Sequence, residues 1–257
     1  MTPSTTTDLK DKIVLVTGAS AGIGGAIARR FADSGSRIIV AARRMDRLQA
    51  LVDTYGNRCL PIEIDVRNRK TVEKTLKKLP ESWQAIDILI NNAGLSRGLS
   101  KLHEGNPDGW EEMIDTNVKG LLYVSRAVIP GMVKRGRGHI INVGSIAGHE
   151  VYPNGNVYCA TKHAVDAITK GMRLDLVDSP VRVSTIDPGL VETEFSQVRF
   201  YGDKDRASKV YQGYTPLSSD DIADAAVWMA SRPAHVNVAQ VLILPNDQAS
   251  STLVNKQ

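Results

Sequence analysis

The chain of 257 residues carries two cysteines, Cys59 and Cys159. Two thiols make neither a disulfide framework nor a zinc site, so no metal is expected and a reducing, cytoplasmic compartment is. No run approaches the ~20 apolar residues of a membrane span. Residues 1–8 are rich in Thr and Ser without an apolar core, unlike a secretory signal. Residues 1–10 are expected to be a flexible leader to one domain over 11–257. Lys and Arg nowhere form blocks despite a net charge of +4, which argues against nucleic acid as a partner. A mild cationic excess does suit an anionic small molecule. Repeats and linkers are missing too, and the length fits a single α/β domain. The hydrophobic share of 42% and charged share of 23% are ordinary for a globular protein.

What is present is an alternation of short apolar runs and helical patterns. It predicts an α/β fold: a doubly wound parallel sheet of about seven strands, helices on both faces, right-handed crossovers. Residues 13–17 read as a strand covered on both faces. Gly18-Ala19-Ser20-Ala21-Gly22-Ile23-Gly24 follows, ahead of a helix carrying Ala26, Ile27 and Phe31. Glycines there let the backbone approach a pyrophosphate, and the helix start offers free N–H groups; plain turn punctuation is the alternative. The second strand, 37–42, ends without the acid that would meet a ribose 2′-OH. Arg43 and Arg44 stand there instead, so a 2′-phosphate, and hence NADP, is favoured; otherwise both are merely solvated. Ala21 adds no further cation. After the third strand, 59–65, Asp65 and Val66 fall at the ligand edge. Asp65 either accepts from an adenine amino group or caps the helix near Asn68. The fourth strand runs into Asn91-Asn92-Ala93-Gly94, where small residues leave room for a ribose and Asn91 ties strands together.

Residues 110–134 read as one long helix, open to disturbance at Pro130-Gly131. Asn117 inside it has weak helix propensity. It is either a buried amide or a distortion that holds a water near Lys162. A strand over 139–143 leads to Ser145, and a helix over 157–177 carries Tyr158 and Lys162 on one face. An exposed pair is the bland alternative; the chemical one is proton exchange with a carbonyl or alcohol oxygen. A phenol of pKa about 10 needs ~4 kcal/mol to titrate ~3 units lower. One ammonium about 4 Å away at an effective dielectric of ~20 supplies roughly that. Ser145 would hold the reacting oxygen. The turn 187–193 brings Pro188, Gly189, Val191 and Thr193 to the same edge, where a carboxamide can be held. Residues 194–214 are polar, aromatic and irregular, as in a loop that covers a substrate.

In this order the motifs resemble the short-chain dehydrogenase/reductase family across nearly the whole chain. The resemblance implies Tyr158 as general acid/base, Lys162 on the nicotinamide ribose and lowering the phenol's pKa, Ser145 orienting substrate, and Asn117 supporting a proton-relay water. The stretch from Asp187-Pro188-Gly189 through Asp203, with Arg232-Pro233-Ala234-His235-Val236-Asn237, is similar to NADP-dependent 3-hydroxy acid (serine or L-allo-threonine) dehydrogenases. That implies a homotetramer acting on a small acid, and hence a cation for its carboxylate: Arg199 first, His149 second, unless either is a surface residue. A broad carbonyl or 3-oxoacyl-thioester reductase is the alternative activity. A non-catalytic dinucleotide sensor is disfavoured by the intact Ser145, Tyr158 and Lys162.

Overall fold

The computed structural model describes residues 6–257. Its strands are β1 (Ile13–Thr17), β2 (Arg37–Ala42), β3 (Cys59–Glu63), β4 (Ile88–Asn91), β5 (Gly138–Val143), β6 (Val181–Pro188) and β7 (Gln240–Ile243). All seven pair in parallel in the order β3-β2-β1-β4-β5-β6-β7. The helices are α1 (Gly22–Asp33), α2 (Gln49–Tyr55), α3 (Arg69–Lys77), α4 (Pro107–Ile114), α5 (Leu121–Arg135), α6 (Asn156–Asp175), α7 (Phe195–Arg199), α8 (Lys204–Ser208) and α9 (Ser219–Ala230).

Strand residues alternate between faces, and β1 feeds two cores. Val14 and Val16 pack with Ile27 and Phe31 of α1 and Ile222 and Met229 of α9. Ile13 and Leu15 pack with Val72 and Leu76 of α3 and Val124, Val128 and Met132 of α5. Both faces are covered, so every residue of β1 is buried. The chain winds outward from β1 to β3, then returns to place β4 on β1's other side. That reversal opens a crevice at the strands' C-terminal ends.

Three local expectations change. The helix over 110–134 starts earlier, at Pro107, and is broken in its first half rather than at Pro130-Gly131. Residues Asp115–Gly120 form a wide π turn between α4 and α5, whereas α5 runs through Pro130. The widening has tertiary causes: Asn117 is clamped from outside the helix, and a β-carbon on Gly120 would lie 2.6 Å from Val66. The segment 194–214 is ordered by α7, α8 and the turn Lys209–Tyr211. The leader meets the body before its end: Leu9 joins the α1/α9 core, and Thr7 bonds the carbonyls of Ser231 and Arg232. Residues 1–5 of that expectation lie outside the described residues. No helix of the described residues is long and apolar enough to cross a membrane.

Candidate active site

The crevice is a cleft of about 550 Å³, ample for an extended small ligand. Gly18, Ser20, Ala21, Gly22 and Ile23 line one end, with Arg43, Arg44, Asp65, Val66, Asn92, Ala93 and Gly94. Gly18 and Gly22 have φ of 67° and 52°, a region that disfavours side chains. Ala21 offers no side-chain cap to α1, so the first amides of that helix remain for a ligand. Gly24 stays out of the lining; a β-carbon there would collide with Asn92 Nδ2 and Gly18 O, so its role is close packing. Asn91 is likewise behind the wall, buried and donating to Ser125 Oγ and Asn142 Oδ1 at 2.9 Å each. Asn92 donates to Thr17 O and Gly18 O.

Arg44 donates to Ser20 Oγ at 3.2 Å and approaches Glu194 at 3.5 Å. Arg47, which no sequence pattern singled out, holds the same carboxylate at 2.6 and 2.8 Å. This end of the cleft therefore concentrates Arg43, Arg44 and a helix N-terminus, a donor set that fits pyrophosphate and a 2′-phosphate. Asp65 accepts from Arg67 Nη2 at 2.6 Å, and chiefly that bonding keeps its carboxyl below the usual range. Helix α3 is capped by Asn68, whose Oδ1 accepts from Thr71 N, so Asp65 has no capping role.

At the other end Ser145, Tyr158 and Lys162 line the cleft together. Ser145 follows β5, and its Oγ accepts from Ala147 N at 3.1 Å. Helix α6 presents Tyr158 and Lys162, both buried. Lys162 Nζ donates to Val143 O at 2.9 Å and stands 5.9 Å from the centre of the Tyr158 ring. A β-carbon on Gly94 would be 3.3 Å from Asn117 Oδ1 and 3.8 Å from Lys162 Nζ, so these motifs converge. Asn117 bonds both N and O of Leu95 at 2.8 Å and donates to Thr161 Oγ1 at 3.0 Å. Thr161 in turn donates to Tyr158 O. Thus the π turn clamps the loop after β4 to α6.

The electrostatics differ from the simple pairing of phenol and ammonium. Burial pushes the Tyr158 phenol above its ordinary value; the Arg199 charge and the Ser145 hydroxyl pull it back. Burial also lowers Lys162 to about 8, with the Asp187 carboxylate opposing. A second cation stands beside the phenol in this structure: Arg199, on α7. Its guanidinium carbon lies 5.2 Å from the Tyr158 ring centre and 5.0 Å from that of Phe195. Nη2 donates to Tyr152 OH at 3.0 Å, while the buried Nε has no partner. Among the described residues no carboxylate pairs with Arg199.

His149 is placed elsewhere. Its Nε2 meets Asp187 Oδ2 at 2.9 Å, Gln240 shares that carboxylate, and His149 is not in the cleft lining. The reason is the buried acid: Asp187 at the end of β6 needs donors, and His149 supplies one. A β-carbon on Gly144 would collide with the same carboxylate. Pro188, Gly189, Val191 and Thr193 complete the wall. Gln248 pins this turn by accepting from Leu190 N at 2.8 Å. Tyr152, Phe195 and Tyr211 also line the site; they come from irregular stretches, where periodicity carries no signal.

The sequence model of the short chain dehydrogenase family matches residues 12–203. The chain belongs to this family and is an oxidoreductase. More particularly, it is similar to the NADP-dependent 3-hydroxy acid dehydrogenase of Salmonella typhi, 51% identical over 94% of this chain and 98% of the relative. The enzyme of that name from Schizosaccharomyces pombe is 40% identical over 97% of this chain and 98% of its own. A solved structure of serine dehydrogenase in its closed form with NADP+ superposes with a TM-score of 0.92, at 48% identity, over 95% of this chain and 100% of the other.

Proposed function

We propose that this protein is an NADP-dependent dehydrogenase that oxidises the 3-hydroxyl of a small 3-hydroxy acid, of the serine, L-allo-threonine or 3-hydroxypropionate type, to the ketone or aldehyde. The observation that carries the substrate class is Arg199, half-buried with its Nε enclosed and unpartnered, without a carboxylate partner, over Tyr158. An enclosed N–H of a cation left without an acceptor is costly, and the carboxylate of such an acid supplies both acceptor and counter-charge beside the reacting hydroxyl. The relatives' names support the same reading.

NADP, when bound, supplies the hydride acceptor or donor. Arg43 and Arg44 would hold its 2′-phosphate, and the first amides of α1 would bind its pyrophosphate. Ser145 donates to the reacting oxygen, Tyr158 takes its proton, and the charges of Lys162 and Arg199 favour the phenolate that abstracts it. Asn117 holds the π turn in place for the proton path. Exposed apolar side chains on α4 to α6, among them Ile114, Leu122 and Leu174, support a homotetramer. Two buried free thiols support a reducing, cytoplasmic location.

Replacing both Arg43 and Arg44 by Ala is expected to raise KM for NADP+ by ~10–100-fold, the loss of about 1.5–3 kcal/mol of charged hydrogen bonding, with KM for NAD+ little changed. Equal losses for the two nucleotides would remove the arginines from the phosphate site. The substrate class is tested by comparing 3-hydroxypropionate with its neutral amide. In Arg199→Met the acid-over-amide ratio of kcat/KM should fall ~10–100-fold. An unchanged ratio would exclude Arg199 as the carboxylate ligand.

A further inference from the structure

Arg199 sits at the last residue of a five-residue helix, far too short to fix a half-buried cation by itself. What holds it is a side chain from the other wall. Arg97, in the loop after β4, sends Nη1 to Val198 O at 2.6 Å. One residue on, Gly98 N donates to Arg199 O at 2.8 Å. Together they engage the two final carbonyls of α7; Val198 O also accepts from Tyr201 N, at the longer distance of 3.3 Å.

Arg97 is itself gripped. Glu112 of α4 receives its Nε at 2.6 Å and its Nη2 at 3.1 Å, a bidentate pair whose side chains are only 19% and 21% exposed. The same guanidinium lies 5.3 Å from the ring centre of Tyr201, just beyond α7. Space for this packing exists because Gly109 has no side chain; a β-carbon there would lie 3.0 Å from both Arg97 Cβ and Tyr201 OH. Glu112 is braced in turn by Arg67, at 3.7 Å.

We propose that Arg97, oriented by Glu112, is a positioning residue that sets the register of Arg199 over Tyr158 and thereby the enzyme's preference for acids over neutral alcohols. This rests on the reading of Arg199 as the carboxylate ligand. Without the strut, α7 keeps its sequence but not the placement of its last residue. A guanidinium displaced by about an ångström no longer meets carboxylate and phenol together.

The test uses the full-length enzyme, NADP+ as oxidant, and 3-hydroxypropionate against 3-hydroxypropanamide. Arg97→Met is expected to lower the acid-over-amide ratio of kcat/KM by ~10-fold, mostly through KM of the acid. NADPH affinity, read by fluorescence, should stay within about twofold, since Arg97 does not line the nucleotide end. Glu112→Gln, which keeps the guanidinium and weakens its grip, should shift the ratio in the same direction by less. Arg199→Met run alongside separates the two readings. If Arg199→Met collapses the ratio while Arg97→Met and Glu112→Gln leave it unchanged, the positioning role is overturned and the carboxylate reading stands. If Arg199→Met itself leaves the ratio intact, both fall. Should Arg97→Met lose NADPH binding through misfolding, Glu112→Gln decides: a lowered ratio supports the strut, an unchanged one overturns it.

Discussion

Tyr158→Phe is expected to cut turnover by ~10³-fold while NADPH binds within a few-fold of its normal affinity. The substitution removes one hydroxyl and nothing else. The ring keeps its edge-on contact with Phe195, at 5.6 Å between centres, and its place among Leu95, Met113, Ala147 and Cys159. Positioned proton transfer contributes typically ~10²–10⁴-fold, and neither Ser145, an alcohol, nor Lys162, bonded to Val143 O, can replace a phenolate base here. Nucleotide affinity is spread over a long wall that the hydroxyl scarcely touches. Turnover by absorbance at 340 nm and NADPH titration by fluorescence check both halves. Residual turnover within tenfold of the normal rate would transfer the acid/base role to another group.

Lys162→Met is expected to make the protein harder to melt and nearly inactive. Burial holds the ammonium at about 8, below its ordinary 10.5. The unfolded chain therefore binds this proton more tightly than the folded one, so stability rises with pH from about 8 to 10.5 as the folded side chain becomes neutral. Below about 8 the charged form costs the folded state on the order of 3 kcal/mol. A methionine of similar length removes that cost. Val143 O loses its donor and Asp187 loses a nearby countercharge, which offsets ~1 kcal/mol or more. The net gain at pH 7 is then ~1–2 kcal/mol, or roughly 2–8 °C in Tm for a domain of this size. Catalysis should fall ~10²–10⁴-fold, because the charge that favours the phenolate is gone. Melting curves at pH 7 and pH 9.5 make the comparison, and the gain should shrink at the higher pH. A lower Tm at pH 7 would mean that Val143 O and Asp187 outweigh desolvation. The trade is the usual one at a functional site: a buried charge is retained for chemistry at the expense of stability.

Some of this was legible before any coordinates. The strands stand out because a parallel sheet covered on both faces reads as continuous apolar runs. The glycine turn, Ser145 and the Tyr158/Lys162 pair stand out because each is local in sequence. The π turn at Asn117 was only half visible. Its poor helix propensity shows there, but the clamp from Leu95, 22 residues away, does not. His149 lay in the right neighbourhood, just after Ser145, yet the buried Asp187, 38 residues on, takes it. Residues 194–214 look irregular because α7 and α8 are five residues each, too short to show a period.

By itself, then, the sequence determined the sheet and the family, and it singled out the groups we propose for proton transfer, since these depend on hydrophobic period and on residues close together in the chain. Tertiary structure alone brought a second cation to the phenol. Arg199 lies 41 residues from Tyr158 and is held by Arg97, 101 residues from Val198. Burial decided the rest: desolvation drives the phenol up and the ammonium down. The free energy of a charge depends on what surrounds it in space, and only the folded chain supplies those surroundings.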